Sequence, residues 1–198
     1  MAPFLDYSFD GPLAGSFDTP RKVNPMPDKL INVKADTAMD FIDNAHKAMG
    51  DPSKLGETSA NLTWSVSMDS KTKKIKKVTF TLKTEIKRVH WAGQAKTKPD
   101  KANEDAIKEI ESLNKAHEEA HRSGYEAAFK KLKTKFEKDL IGKEEDDLDT
   151  AVQEMKDAMT DACETLHKSG GMIDVTDDGA GKITVKESAE GAGGCPSL

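Results

Sequence analysis

In the middle of this chain the apolar residues change from alternating to helical spacing, and that change sets the fold class. From Ala60 they fall at every second position: Leu62, Trp64, Val66 and Met68, then Val78, Phe80, Leu82 and Ile86. Strict alternation of this kind marks strands with one buried face. The polar stretch DSKTKK between the two runs is a turn, so they form an antiparallel hairpin whose second strand reaches about Trp91. From about Asn103 to Leu140 the step becomes three or four, through Ile110, Leu113, His117, Ala120, His121, Gly124, Ala128 and Leu132. A second helical stripe runs from Glu144 to Lys168 through Leu148, Val152, Met155, Met159, Ala162 and Leu166, with an acidic start and Gly170–Gly171 as a stop. A hairpin followed by two long amphipathic helices predicts an α+β fold, an antiparallel sheet packed on long helices.

Shorter elements flank this frame. KLINVK predicts a strand, and DTAMDFIDNAHKAMGDP predicts a helix capped by Asp36 or Thr37 and stopped at Gly50–Asp51–Pro52. MIDVTDDGAGKITVKES predicts a small hairpin with a glycine-containing turn. Residues 1–28 carry Pro3, Pro12, Pro20, Pro25 and Pro27 and are expected to be an extended or partly disordered arm. Residues 29–187 form the expected domain and 188–198 a disordered tail.

Composition narrows the function classes. One third of the 198 residues are charged and 36% are hydrophobic, which suits a soluble protein with a modest core. The net charge of −5 argues against a nucleic-acid partner, and the lysines of Lys71–Lys77 and Lys130–Lys138 are expected on solvated faces. No apolar run approaches the length of a membrane span. The N-terminal stretch lacks the basic and apolar regions of a cleavable secretory signal, leaving residence inside the cell (cytoplasmic), a signal-independent route out, or a signal already removed from this sequence. Nothing specifies an oligomeric state. Two cysteines are too few for a disulfide framework. Cys163 falls at an apolar helical position and is expected to be a small core residue, and Cys195, in a glycine-rich tail, to be free.

The long helix carries LNKAHEEAHRSGYEAAF, within which His117-Glu118-Glu119-Ala120-His121 is an H-E-x-x-H motif. Residues four apart on a helix lie one above the other, so both imidazoles reach one ion. Glu118, about a quarter turn round, stands beside that ion and can take a proton from an activated water. The pair lies on the apolar stripe, where imidazoles without a shared partner would cost desolvation energy. A metal site, with Zn²⁺ as the cofactor, is therefore the preferred reading over polar filler.

A catalytic zinc needs a third protein ligand. Ala127 occupies the position of a third motif histidine, and Glu126 points away from His117. The remaining candidates are His167, in the last turn of the second helix, and Glu164 one turn earlier. An antiparallel pair of helices brings His167 level with His117 and His121. His46 and His90 are expected to be ordinary polar residues. Tyr125, seven residues after Glu118, projects on the same side, where its phenol would either stabilise an oxyanion or pack between helices.

The order of parts resembles a bacterial family of predicted secreted zinc-dependent proteases, family 922 among the domains of unknown function. The likeness spans about residues 28–171. It rests on ANLTWSVSM and KKVTFTLKTEIKRVHW, on His117, Glu118 and His121, and on TLHKSG, where Thr165 and His167 match a Thr-x-His-Gly signature with Lys168 in place of the glycine. The resemblance implies a zincin-like peptidase acting on a peptide or protein, secreted or periplasmic. The expected activity is zinc-dependent amide hydrolysis with His117, His121 and His167 as ligands, Glu118 as general base and Tyr125 in support. Two other readings fit the sequence: a non-catalytic binding protein stabilised by a metal, and an exported cell-wall amidase or antibacterial effector.

Overall fold

The computed structural model describes residues 27–189 and 195. The expected N-terminal arm falls outside them except for residues 27 and 28, as does the expected tail except for residues 188, 189 and 195. The elements are β1 (Lys29–Val33), α1 (Ala38–Met49), β2 (Gly56–Met68), β3 (Ile75–Trp91), α2 (Lys101–Asp139), α3 (Glu145–His167), β4 (Gly171–Asp177) and β5 (Ile183–Ala189). The result is a mixed α+β fold.

Local chemistry explains where these elements begin and end. The Thr37 side chain accepts a hydrogen bond from the Asp40 amide and starts α1, and Gly50 in the left-handed region, φ 77°, ends it. The Asp100 carboxylate caps α2 by accepting from the Asn103 amide. At the head of α3 the Asp147 carboxylate reaches back to the Glu144 amide at 3.1 Å.

β3 is the centre of a three-stranded sheet ordered β1-β3-β2, with β1 parallel to it and β2 antiparallel. β4 and β5 make a separate antiparallel hairpin. The helix α2 packs along β3 and β2 on one side and against α3 on another. It touches two apolar clusters in turn. One holds its N-terminal Ala106, Ile107 and Ile110 with Phe41 of α1 and Val89 of β3. The other holds its Tyr125, Phe129 and Phe136 with Phe80 of β3 and Met155 and Met159 of α3. Between them lies a polar waist in which Thr58, Asn114, Glu118, His121 and His167 are all buried.

The structure corrects three expectations. The buried face of α2 runs through Asn114, Glu118, His121, Tyr125 and Phe129, while Ala120 is exposed. A helix wedged between a sheet and another helix buries a wider arc than one stripe, and here that arc includes polar residues. Second, β2 starts at Gly56, and its Trp64 and Val66 are exposed at 39% and 37% although they pair with the buried Phe80 and Val78. Their alternation matches a covered face, but β2 is the edge strand and the helices cover mainly β3. Third, Cys195 is not free: it forms a disulfide with Cys163 across 32 residues, and β5 extends to Ala189.

Candidate metal centre

α2 supplies His117 and His121 one turn apart, and the last turn of α3 brings His167 up to them. The Nε2 of His121 lies 2.9 Å from the Nε2 of His117 and 2.9 Å from that of His167. An imidazole nitrogen offers one in-plane proton or one in-plane lone pair, so His121 Nε2 can hydrogen-bond to only one of these neighbours at a time. A cation at their centre would engage three lone pairs together. Nitrogens bound to one tetrahedral zinc at its usual bond length lie about 3.3 Å apart, so each of these two pairs need spread by only about 0.4 Å to receive it. Among the described residues these three histidines form a group that could hold a metal ion.

The surroundings act on the central ring of the group. Burial, reinforced by the charges His117 and His167 can carry, pushes the His121 pKa down to about 3, so its ring stays neutral with a lone pair to give. Behind His117, the Glu187 carboxylate of β5 lies 3.8 Å from Nδ1 and accepts from the Gly171 amide at 3.1 Å. A carboxylate there is the kind of partner that orients a metal-binding histidine. Behind His167, the Cys195 sulfur lies 3.6 Å from Nδ1.

Glu118 faces β2. The Thr58 hydroxyl lies 2.6 Å from its Oε2 and 3.0 Å from its main-chain oxygen, and the single hydroxyl proton suits the nearer carboxylate. On the other side, a Cβ added at Gly56 would stand 2.5 Å from Glu118 Oε1 and 2.8 Å from Asn114 Oδ1. Glycine is therefore what lets β2 lie so close to the helix. The Asn114 amide in turn donates to the Leu55 carbonyl at 3.0 Å. Tyr125 is 1% exposed, and burial followed by the Glu118 charge pushes its phenol up to about 12, so it remains a proton donor.

These groups line one cleft of about 300 Å³ together with the segment 52–58 entering β2, Gly171–Asp174 of β4 and His46. Next to His121, Arg122 reaches the Asp28 carboxylate at 3.0 Å, and Arg88 of β3 reaches its other oxygen at 3.1 Å. Burial alone would raise the Asp28 pKa, but the hydrogen bonds and charges of the two arginines carry it below the ordinary value. The pair ties α2 to the sheet beside the histidines.

The structure thus brings His117, His121, His167, Glu118 and Tyr125 to one cleft. It leaves Glu164 exposed and outside the histidine group. His90 is engaged elsewhere, its Nδ1 2.8 Å from Glu111. Sequence reasoning missed Thr58, Asn114 and Gly56. Thr58 continues the inward parity of Ala60 and Leu62 by one step, and Asn114 precedes Glu118 by one helical turn, so both were within reach of the patterns already in hand. Glu187 and the disulfide carried no such signal. Comparison with protein-family models, curated proteins and solved structures returns no match.

Proposed function

We propose that the chain is a zinc-dependent hydrolase of amide bonds, a peptidase of the H-E-x-x-H type. The observation that carries this reading is the convergence of three imidazole nitrogens, with a buried carboxylate next to them in the same cleft. Three protein ligands leave a coordination position for substrate or water, the pattern of catalytic zinc sites as opposed to closed structural ones. A zinc ion bound there supplies Lewis-acid polarisation of the carbonyl and acidifies water.

The chain's own groups divide the remaining work. His117, His121 and His167 hold the ion, with the Glu187 carboxylate standing 3.8 Å from the first ring. Thr58 grips one oxygen of Glu118 and so sets the carboxylate's direction. Glu118 takes the proton of the attacking water and delivers it to the leaving amine. Tyr125, kept protonated by burial, donates toward the oxygen on which negative charge builds. An extended polypeptide suits the cleft because β2 is an edge strand whose outer main-chain groups can pair with a substrate strand. The Cys163–Cys195 disulfide favours an oxidising compartment, in keeping with export.

The test is Glu118→Gln. It should retain one zinc per chain while losing hydrolysis of a mixed peptide library by a factor of at least about 100. Parental activity in that variant would remove Glu118 from the chemistry and the reading with it.

A further inference from the structure

His167 has two faces. Its Nε2 joins the other histidines, and its Nδ1 looks at sulfur: Cys195 Sγ is 3.6 Å away. Cys163 lies one helical turn before His167 on α3, and it lines the same cleft. Cys163, His167 and Cys195 form a second group whose ligand atoms lie within 4.8 Å of one another. In the disulfide the sulfurs are bonded to each other and have no charge to offer a cation. We infer that reduction of the Cys163–Cys195 bond turns this group into a thiolate site for a soft metal ion, and that it competes with the three-histidine centre for His167.

The geometry favours capture. A sulfur and a nitrogen on one tetrahedral zinc, at bond lengths of about 2.3 and 2.0 Å, lie about 3.5 Å apart. The Cys195–His167 contact is already at that separation. Once the covalent bond is gone the two sulfurs must part, and about 3.8 Å is the distance two Zn–S bonds span. The exchange balances simply. A dithiol donor gives two hydrogens and leaves as its own disulfide, producing two cysteine thiols, and metal binding then releases the two thiol protons to water. Two thiolates with one imidazole suit zinc and softer ions.

Competition follows from the ring. A neutral imidazole bound to a metal through Nε2 keeps its proton on Nδ1. A second ion at Nδ1 requires that proton to leave, or requires the first ion to let go of Nε2. Reduction should therefore draw the ion away from His117 and His121 and silence the cleft. This competition rests on the peptidase reading above; the thiolate site itself does not.

Cobalt(II) separates the two ideas, because sulfur ligation produces an intense near-ultraviolet charge-transfer band that nitrogen and oxygen ligation do not. The full chain would be titrated with cobalt in oxidised form and after reduction by a water-soluble phosphine, which takes up the disulfide's oxidising equivalents as phosphine oxide. The oxidised protein should bind one cobalt without the sulfur band. The reduced protein should still bind one, now with the band, and Cys195→Ser should lose most of the band. Reduced protein that binds cobalt without the band would overturn the thiolate site, and two cobalts per reduced chain would overturn the competition. Loss of the helical circular-dichroism signal on reduction would also contradict the proposal, which requires α3 to remain formed. Failure of the oxidised protein to bind cobalt would instead strike the three-histidine reading.

Discussion

The two apolar clusters and the polar waist between them are built from the same helix yet obey different rules. In the clusters α2 presents Ile107, Ile110, Phe129 and Phe136, and burial alone rewards their contacts. At the waist it presents Asn114, Glu118 and His121, which are as well buried but gain little from leaving water. Folding of the clusters therefore has to carry the waist. The waist sits at the centre of α2, and the three histidines gathered there could hold a metal ion. Altering a cluster should damage the fold, and altering the waist should damage the site.

The largest effect is expected at the waist. His121→Ala removes the nitrogen that stands 2.9 Å from both of the others. Two remaining ligands hold zinc poorly, so elemental analysis should fall from one zinc per chain to near none, with the fold retained in metal-free buffer. A cluster change should do the reverse. Phe41, fully buried among Val33, Ala38 and Val89, should cost about 3–5 kcal/mol as Phe41→Ala in denaturant unfolding. Full zinc stoichiometry should survive in whatever fraction stays folded. If Phe41→Ala emptied the metal site while stability held, the two regions would not be separable.

Acid distinguishes the regions on a smaller scale. Burial holds the folded-state pKa of His121 at about 3, below the ordinary histidine value of 6.5 that the unfolded chain should approach. The unfolded state therefore binds its proton first. The stability this group contributes is complete above pH 6.5, declines as pH falls toward 3, and is gone below that. Metal-free protein should lose on the order of a few kcal/mol across this window, and His121→Asn should lose less. Equal pH profiles for the two would mean that the ring is not held neutral by its surroundings.

The smallest effect concerns the seam between sheet and helix. Gly56→Ala puts a methyl group 2.5 Å from a Glu118 oxygen that Thr58 helps hold in place. A cost of about 1–3 kcal/mol is expected, with zinc retained and hydrolysis reduced, because the carboxylate moves and the imidazoles do not. Unchanged activity and stability would show that Glu118 has room that the packing denies it.

Much of this was legible in the residues. The change from alternating to helical spacing after Trp91 announced both the hairpin and the two long helices, because a period of two and a period of about 3.6 each bury one face. The H-E-x-x-H spacing and the length of the two helices brought the last turn of α3 level with the motif and left His167 and Glu164 both within reach. The structure puts His167 in the group and leaves Glu164 exposed. What stayed hidden depends on two-sided or long-range packing. The wide buried arc of α2 follows from α3 and the sheet gripping it together, which no single stripe encodes. The exposure of Trp64 follows from its strand being at the edge, an outcome of strand order. Cys195 meets Cys163 only once the chain has passed through α3 and the second hairpin, and two cysteines in a sequence do not declare a bond.

The most direct measurement is the zinc content of purified, oxidised protein compared with that of His167→Ala, by elemental analysis after dialysis against zinc-limited buffer. The account predicts one zinc per chain in the parent and a severe loss in the variant, because in the proposed site the ring 2.9 Å from His121 would be the third ligand. A variant that kept its full equivalent, or a parent that bound none, would show that these three nitrogens meet for some reason other than a metal.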